Sequence, residues 1–331
     1  MTESQQLLDS YGRQMTYLRL SVTDQCQFRC VYCMPPEGIT PLAHSKYMSA
    51  REMERFVEAA AGLGVWRVRL TGGEPLIRHD IVSLVERLSR IEGVTDLALT
   101  TNGERLPEMV DDLKRAGLKR INISLDSLDP VRFEQLTLSK SFHRVWEGIQ
   151  RSLDAGLKVK INVVLMNGIS PEEIDGFARL AFEQPVEVRF IEFMPLCGTG
   201  WKPELMLPIG VARSQIAASY ALSPLSRGTE VAESYRMVDG RGRVGYIASM
   251  TEPFCSTCSR IRISATGQMQ LCLFSNLTCN LLPVLRRNGS IPEIQQKIRD
   301  AVMQKPASHP WASGNLQAKP EENAMIRMIG G

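Results

Sequence analysis

The feature that most constrains the fold is a strand–helix rhythm that repeats six times between residues 17 and 193. Tyr17-Leu18-Arg19-Leu20-Ser21-Val22 alternates in character and reads as a strand. Ser49 with Glu52 three residues on makes a capping box for a helix over 50–63, and Gly64 stops it. Arg67–Thr71 is the next strand, ending in Gly72-Gly73-Glu74-Pro75. Helices near 80–91, 107–116 and 143–155 lead into strands at Asp96–Thr101, Arg120–Leu125 and Lys158–Leu165. Pro171 opens a helix to about 182, and Glu187–Phe193 is the sixth strand. Strands alternating with helices predict an α/β fold with a parallel sheet and right-handed crossovers. Six units in place of eight predict an incomplete, open (βα)6 TIM-type barrel. A doubly wound sheet is the alternative.

One face of each strand is apolar: Leu18 and Leu20, Val68 and Leu70, Leu97 and Leu99, Ile121 and Ile123, Ile161 and Val163. The opposite face carries Arg19 and Ser21, Arg69 and Thr71, Thr100, Asn122 and Ser124, Lys160 and Asn162, and Arg189. A closed barrel fills its interior with branched apolar side chains. This one is expected to line it with hydroxyls, amides and cations. Buried cations without partners are costly, so Arg19, Arg69, Lys160 and Arg189 on one polar phase point to a polyphosphate or polycarboxylate site. The bland alternative pairs each with a carboxylate or leaves it in water.

The cysteines come as two triplets. Cys26, Cys30 and Cys33 follow the first strand with C-x3-C-x2-C spacing. Three thiolates can hold three corners of an iron–sulfur cube and leave one iron open to a ligand, whereas four close a cluster for electron transfer. Zinc takes four ligands, commonly as two pairs, and His44 is the nearest further candidate. Cys255, Cys258 and Cys272 repeat the theme with C-x2-C-x13-C spacing, and Cys279 could complete a closed zinc or cluster site. Arg260-Ile261-Arg262-Ile263 leaves Cys258 as a strand, its arginines on one side, which favours a second open cluster with an anion beside it. Cys197 has no partner at metal spacing and reads as a free thiol.

After Met194 the rhythm breaks. Residues 195–210 read as a long loop, a helix near 210–220 follows, and Asp239-Gly240-Arg241-Gly242 marks a hairpin within 231–250. The expected division is 1–220 for the partial barrel and 221–331 for a smaller C-terminal region. The chain ends in Gly330-Gly331, a tail that is either frayed or able to enter a tight space. A formal net charge of +3 is too small to argue for nucleic acid. No basic n-region with an apolar run opens the chain, and no stretch is long enough to span a membrane. The cysteines therefore read as ligands or free thiols in a reducing cytoplasm.

These residues resemble the radical S-adenosylmethionine (SAM) superfamily: the first triplet with Tyr32, then Gly72-Gly73-Glu74-Pro75 after the second strand. Within it the chain is similar almost end to end to the GTP 3′,8-cyclases of molybdenum cofactor biosynthesis, a lyase family. That closer likeness rests on Leu18–Asp24, Thr100–Gly103, Asn122–Ser127, Lys160–Val164, Arg189–Met194, the second triplet with Arg260 and Arg262, and the Gly-Gly end. The resemblance implies an incomplete barrel with an extension carrying a second 4Fe–4S cluster. It implies SAM on the first cluster, at Cys26, Cys30 and Cys33, contacted by Tyr32, Gly73, Ser124 and Met194. The 5′-deoxyadenosyl radical would abstract the ribose 3′ hydrogen of GTP, and closure onto guanine C8 would give (8S)-3′,8-cyclo-7,8-dihydroguanosine 5′-triphosphate. Cys255, Cys258 and Cys272 would hold the second cluster and, on its open iron, the guanine. Arg19, Arg69, Thr100, Lys160, Arg189, Arg260, Ile261 and Arg262 match the nucleotide-binding set, and Arg19, Gly330 and Gly331 the catalytic one. Implied partners are an electron donor such as flavodoxin or ferredoxin and the cyclic pyranopterin monophosphate synthase that takes the product. A second copy of the chain in a homodimer is also compatible, with no nucleic acid and no membrane. Gln27 departs from the Asn of many members. Rival readings are a peptide-modifying radical enzyme, a protein that uses its clusters only for electron transfer or sensing, and a degenerate binding protein. The first lacks its longer cysteine series here, and the second leaves the cation-lined strands unexplained. The third finds no ligand missing.

Overall fold

A computed structural model describes residues 6–35, 37–38, 40, 42–168, 171–196, 199–228 and 230–313. The predicted rhythm is present as β1 (Tyr17–Ser21), α1 (Ala50–Ala61), β2 (Arg67–Thr71), α2 (Ile81–Ser89), β3 (Asp96–Thr101), α3 (Leu106–Arg115), β4 (Arg120–Ser124), α4 (Pro130–Thr137), α5 (Phe142–Asp154), β5 (Lys158–Leu165), α6 (Pro171–Glu183) and β6 (Glu187–Glu192). Then come α7 (Ile209–Ser219), β7 (Leu222–Pro224), β8 (Glu233–Met237), β9 (Arg243–Ile247), β10 (Arg260–Ile263), β11 (Gln268–Gln270), β12 (Thr278–Asn280), α8 (Leu282–Arg286) and α9 (Ile291–Val302).

The strands form one sheet in the order β12-β11-β10-β1-β2-β3-β4-β5-β6-β9-β8-β7. β1 to β6 are parallel neighbours in chain order. The sheet is open, as expected from six units. The extension does more than follow it: β10 adds in parallel beside β1 and β9 in parallel beside β6, so both edges are covered by strands from late in the chain. Exposed edges invite unwanted pairing, and the added strands move the sheet's edges out to β12 and β7, each only three residues long.

The sheet also curls. Glu230 pairs with Arg67 on β2 and with Arg189 on β6. Four strand spacings on a flat sheet would put those arginines about 19 Å apart. One carboxylate reaches both because the sheet wraps into a partial barrel. Its outer face is the predicted apolar phase: Leu18, Leu20, Val68, Leu70, Leu99, Ile121, Ile123, Ile161 and Val163 are fully buried under the helices. Each contributes about 1.5–3 kcal/mol of transfer free energy.

The capping box at Ser49 and Glu52 is present, with each side chain bonded to the other's backbone N–H. α4 has no counterpart in the predicted elements. Only Phe133 and Thr137 of it are buried, so its apolar stripe is too thin to show as periodicity. The readable signal is Asp129 before Pro130, the cap and first-turn pair, and Asp129 accepts from the N–H groups of Val131 and Arg132. α4 matters because it holds the first cysteine loop. Arg29 N–H donates to Thr137 O at 3.1 Å, Val31 N–H to Leu136 O at 3.0 Å, and the Phe28 ring meets Phe133 edge-on at 6.0 Å. Among the described residues no helix is long and apolar enough to cross a membrane.

Candidate functional site

The first triplet lies just past the carboxyl end of β1, where barrel enzymes carry their chemistry. The neighbouring strand ends build its wall. At Gly72, φ is +136°, and a Cβ there would lie 2.1 Å from Thr23 O; at Gly73 it would lie 2.1 Å from Gln25 O. Only glycines let the end of β2 press against the cysteine loop this closely. Glu74, fully buried, accepts from Leu76 N–H at 2.9 Å, Thr101 Oγ1 at 2.7 Å and Asn102 N–H at 2.6 Å. It thereby ties the ends of β2 and β3 together. Burial still pushes its carboxyl up to about 7. Asn102 in turn reaches Cys26 Sγ at 3.8 Å. Tyr32 donates to Asp126, whose other oxygen accepts from Val164 N–H at 2.8 Å, which connects the loop to β4 and β5.

Burial, with Glu74 beside it, raises the Cys26 thiol to about 12, and burial with Cys33 and Asp126 raises Cys30 well above its ordinary value. The mutual influence of Cys26, Cys30 and Cys33 shows three thiols in one space. A bound metal would displace their protons. Among the described residues no three His, Cys, Asp or Glu side chains are grouped as around a single metal ion.

The second triplet lies at the opposite end. β10 runs parallel to β1 with Tyr17 opposite Arg260, so Cys255 and Cys258 precede its amino end. β11 returns antiparallel, which brings Cys272 back to that same end. A five-residue strand such as β1 spans about 13 Å; the two cysteine sets therefore face each other through the length of the barrel. Lys305 Nζ donates to Arg260 O at 2.9 Å and to Leu271 O, stapling the segments that carry Cys258 and Cys272. Arg13 donates to Cys255 O at 2.8 Å, to Ala307 O at 2.8 Å and to Pro306 O at 2.6 Å. Burial would raise the Cys258 thiol, but Arg260 and Lys305 outweigh it and bring it down to about 6. Cys279 stands opposite Met269 on β12 and packs against the main hydrophobic core. It is not among the residues that line the basic cavity at the second triplet, and neither are Cys26, Cys30 and Cys33.

That cavity is lined by Arg19, Arg69, Arg189, Arg260, Arg262 and Met194, together with Cys255, Cys258 and Cys272. Register explains the convergence: Arg262, Arg19 and Arg69 are direct neighbours across β10, β1 and β2. Burial, and then the neighbouring cations, draws Arg69 down to about 9 and Arg19 and Arg262 to about 10. The pocket disfavours its own positive charge, which an anion would offset.

The remaining predicted residues lie around this set. Lys160 is paired with Glu187 at 2.9 Å, and burial lowers it to about 8. Thr100 Oγ1 lies 3.4 Å from the Asn122 amide, whose oxygen, turned inward, accepts from Arg69 at 2.9 Å. The Ile261 side chain is in the hydrophobic core, so only its backbone is available to the cavity. Ser124 ends β4. Cys197, Gly330 and Gly331 lie outside the described residues.

Several lining residues escaped the sequence reading. Tyr17 shares the inward phase of Arg19, and strand alternation could have found it. Glu230 and Lys305 lie beyond β6 and α9, and no local pattern marks them as inward. The reading of Lys160 and Arg189 as cations awaiting an anion needs amendment, since the strands bring carboxylates too. Burial would raise the Glu187 carboxyl, yet Arg189 and Lys160 hold it down at about 2.

A radical SAM superfamily model matches residues 20–181, and a model described as Molybdenum Cofactor Synthesis C matches residues 186–311. A GTP 3′,8-cyclase of Pelotomaculum thermopropionicum is 42% identical over 313 residues, covering 92% of this chain and 96% of the relative. One of Geobacter sulfurreducens is 41% identical over 330 residues, covering 98% and 100%. The chain belongs to the GTP 3′,8-cyclase family. The same fold occurs in Streptococcus suis SuiB, solved with S-adenosylmethionine bound, at 15% identity and a TM-score of 0.64, covering 96% of this chain and 78% of SuiB.

As a radical SAM enzyme, this cyclase-family chain uses a 4Fe–4S cluster and S-adenosylmethionine. The donor set at Cys26, Cys30 and Cys33 fits such a cluster: three thiols on one short loop, walled by strand ends, with no fourth cysteine beside them among the described residues.

Proposed function

We propose that this enzyme is a GTP 3′,8-cyclase that works with two clusters at opposite ends of the barrel. The observation that carries the reading is the convergence of Arg19, Arg69, Arg189, Arg260 and Arg262 on a cavity that also holds the second cysteine triplet. Relatives named as GTP 3′,8-cyclases over nearly the whole chain support it. In this reading residues 1–220 form the radical-generating part and 221–331 the part that holds the substrate.

A 4Fe–4S cluster held by Cys26, Cys30 and Cys33, with S-adenosylmethionine, would supply the radical chemistry needed to join the ribose 3′ carbon of GTP to guanine C8. This chain's residues orient and shield. Tyr32, Gly73, Ser124 and Met194 hold the cofactor, with Tyr32 fixed by Asp126. Arg69, Lys160 and Arg189 hold the triphosphate, Thr100 the nucleotide beside them. Cys255, Cys258 and Cys272 would hold a second 4Fe–4S cluster, and Arg260, Arg262 and the Ile261 backbone beside it would face the guanine. Arg19, which lines the cavity, acts with the Gly330-Gly331 tail on the reacting nucleotide. Guanidinium forks suit phosphate geometry better than a point charge does. A buried pocket also keeps water from a reactive intermediate. An electron donor such as flavodoxin or ferredoxin, and a downstream cyclic pyranopterin monophosphate synthase, complete the scheme in the cytoplasm.

The test is anaerobic. The clusters are reconstituted and GTP, S-adenosylmethionine and a reductant are added. The expected products are 5′-deoxyadenosine and a cyclised GTP. Formation of 5′-deoxyadenosine with a peptide but not with GTP would overturn the reading.

A further inference from the structure

Arg67 and Arg189 face each other across the barrel, each beside a strand carboxylate, Arg189 through a hydrogen bond and Arg67 through an ion pair alone. The Nε of Arg67 pairs with Asp96 at 3.1 Å, and the Nε of Arg189 pairs with Glu187 at 2.5 Å. Both anchoring carboxylates belong to strands. The outer nitrogens of both guanidiniums turn to a third carboxylate. Arg67 Nη1 lies 2.9 Å from Glu230 Oε1, and Arg189 Nη2 lies 3.3 Å from Glu230 Oε2.

Glu230 differs from the other two in where it comes from. It sits in the connection between β7 and β8, outside any strand. Its side chain is 30% exposed, against 9% for Glu187. Glu187 cannot leave without moving β6, which carries it two residues before Arg189. Glu230 can turn to water by side-chain rotation. It also lines the cavity beside Arg69 and Arg189, while Arg67 stands behind the lining, so the oxygen on Arg189 holds a place that suits a phosphate oxygen.

We infer that Glu230 is a stand-in anion: it occupies the outer nitrogens of Arg67 and Arg189 while the cavity is empty and is displaced when the substrate's phosphates arrive. This rests on the reading of the cavity as a nucleoside triphosphate site. Glu230 keeps the buried cations compensated in the free enzyme, and the strand carboxylates keep both guanidiniums aimed during the exchange. The exchange also sets a charge threshold. A ligand must bring enough negative charge to replace a carboxylate, which favours a triphosphate over less charged nucleotides.

The experiment compares the wild-type enzyme with Glu230→Gln, both carrying reconstituted clusters, by anaerobic titration calorimetry with GTP, GMP and inorganic triphosphate. Glutamine keeps the shape and removes the competing charge. Glu230→Gln is expected to bind GTP and inorganic triphosphate about fivefold more tightly, the scale of a partly exposed ion pair. The wild-type preference for GTP over GMP should narrow. Equal or weaker triphosphate binding by Glu230→Gln, with unchanged iron content and melting temperature, would overturn the inference and make Glu230 a fixed brace for the arginines. The inorganic triphosphate arm decides this whether or not GTP is the substrate. Absence of GTP binding to the wild type, with triphosphate still bound, would count against the cyclase reading alone.

Discussion

Glu192 is fully buried at the end of β6 and accepts four hydrogen bonds from two separate segments. Ile209 N–H donates at 3.1 Å, Met250 N–H at 2.8 Å, Thr251 N–H at 3.0 Å and Thr251 Oγ1 at 2.5 Å. One carboxylate thus fastens the start of α7 and the turn after β9 to the strand that leads into Met194. Glu192→Ala would leave these donors buried and unsatisfied. A hydrogen bond to a charged group contributes about 1.5–3 kcal/mol. Four that share one carboxylate do not add, so a total loss of about 3–4 kcal/mol is expected. In a chain of this size, at about 2 °C per kcal/mol, that is a fall in Tm of about 6–8 °C. Glu192→Gln keeps one acceptor oxygen and should lose about half as much. The assay is thermal unfolding by circular dichroism under anaerobic conditions, alongside S-adenosylmethionine affinity, which should weaken as Met194 loses its support. A Glu192→Ala protein that melts within about 1 °C of wild type would refute the reasoning, because a stripped clamp of this kind cannot be silent.

Other outcomes are equally specific. Arg260→Ala or Arg262→Ala should keep the iron content and weaken GTP binding by about 1.5–3 kcal/mol; unchanged affinity in calorimetry removes that arginine from the site. Glu187 has its folded-state pKa depressed from 4.5 to about 2, so its stabilisation is complete above the ordinary carboxylate range and is lost as pH falls through about 4.5 toward 2. Urea unfolding should show wild type losing on the order of 3 kcal/mol more than Glu187→Gln across that window, and parallel pH profiles would contradict the assignment. Cys279→Ser should leave the electron paramagnetic resonance spectra of both clusters unchanged, since Cys279 packs in the core away from the cavity; loss of one cluster signal would make it a ligand. Deleting Gly330-Gly331 should leave the melting temperature within about 1 °C, as expected of a terminal segment, and abolish turnover; full activity in the truncated protein would return the tail to a passive role.

The sequence by itself determined the elements that rest on local chemistry. Period-two alternation needs only neighbouring residues, and it separated Leu18 and Leu20 from Arg19 and Ser21 before any partner strand was known. The capping box at Ser49 and the spacing of the cysteines are local in the same sense. α4 was legible only at its Asp129-Pro130 start, because packing of Phe133 against Phe28, and not an apolar stripe, holds it in place. What only the tertiary structure decided is which distant segments meet. β9 and β10 join opposite edges of the sheet because an open edge has unpaired backbone groups to satisfy. That single fact puts Cys255, Cys258 and Cys272 at the far end of the barrel from Cys26, Cys30 and Cys33. It brings Arg260 and Arg262 into line with Arg19 and Arg69. The curl of the sheet then lets Glu230 span Arg67 and Arg189. Charge pairing of this kind depends on distance in space, and residues far apart along the chain carry no local pattern that announces it.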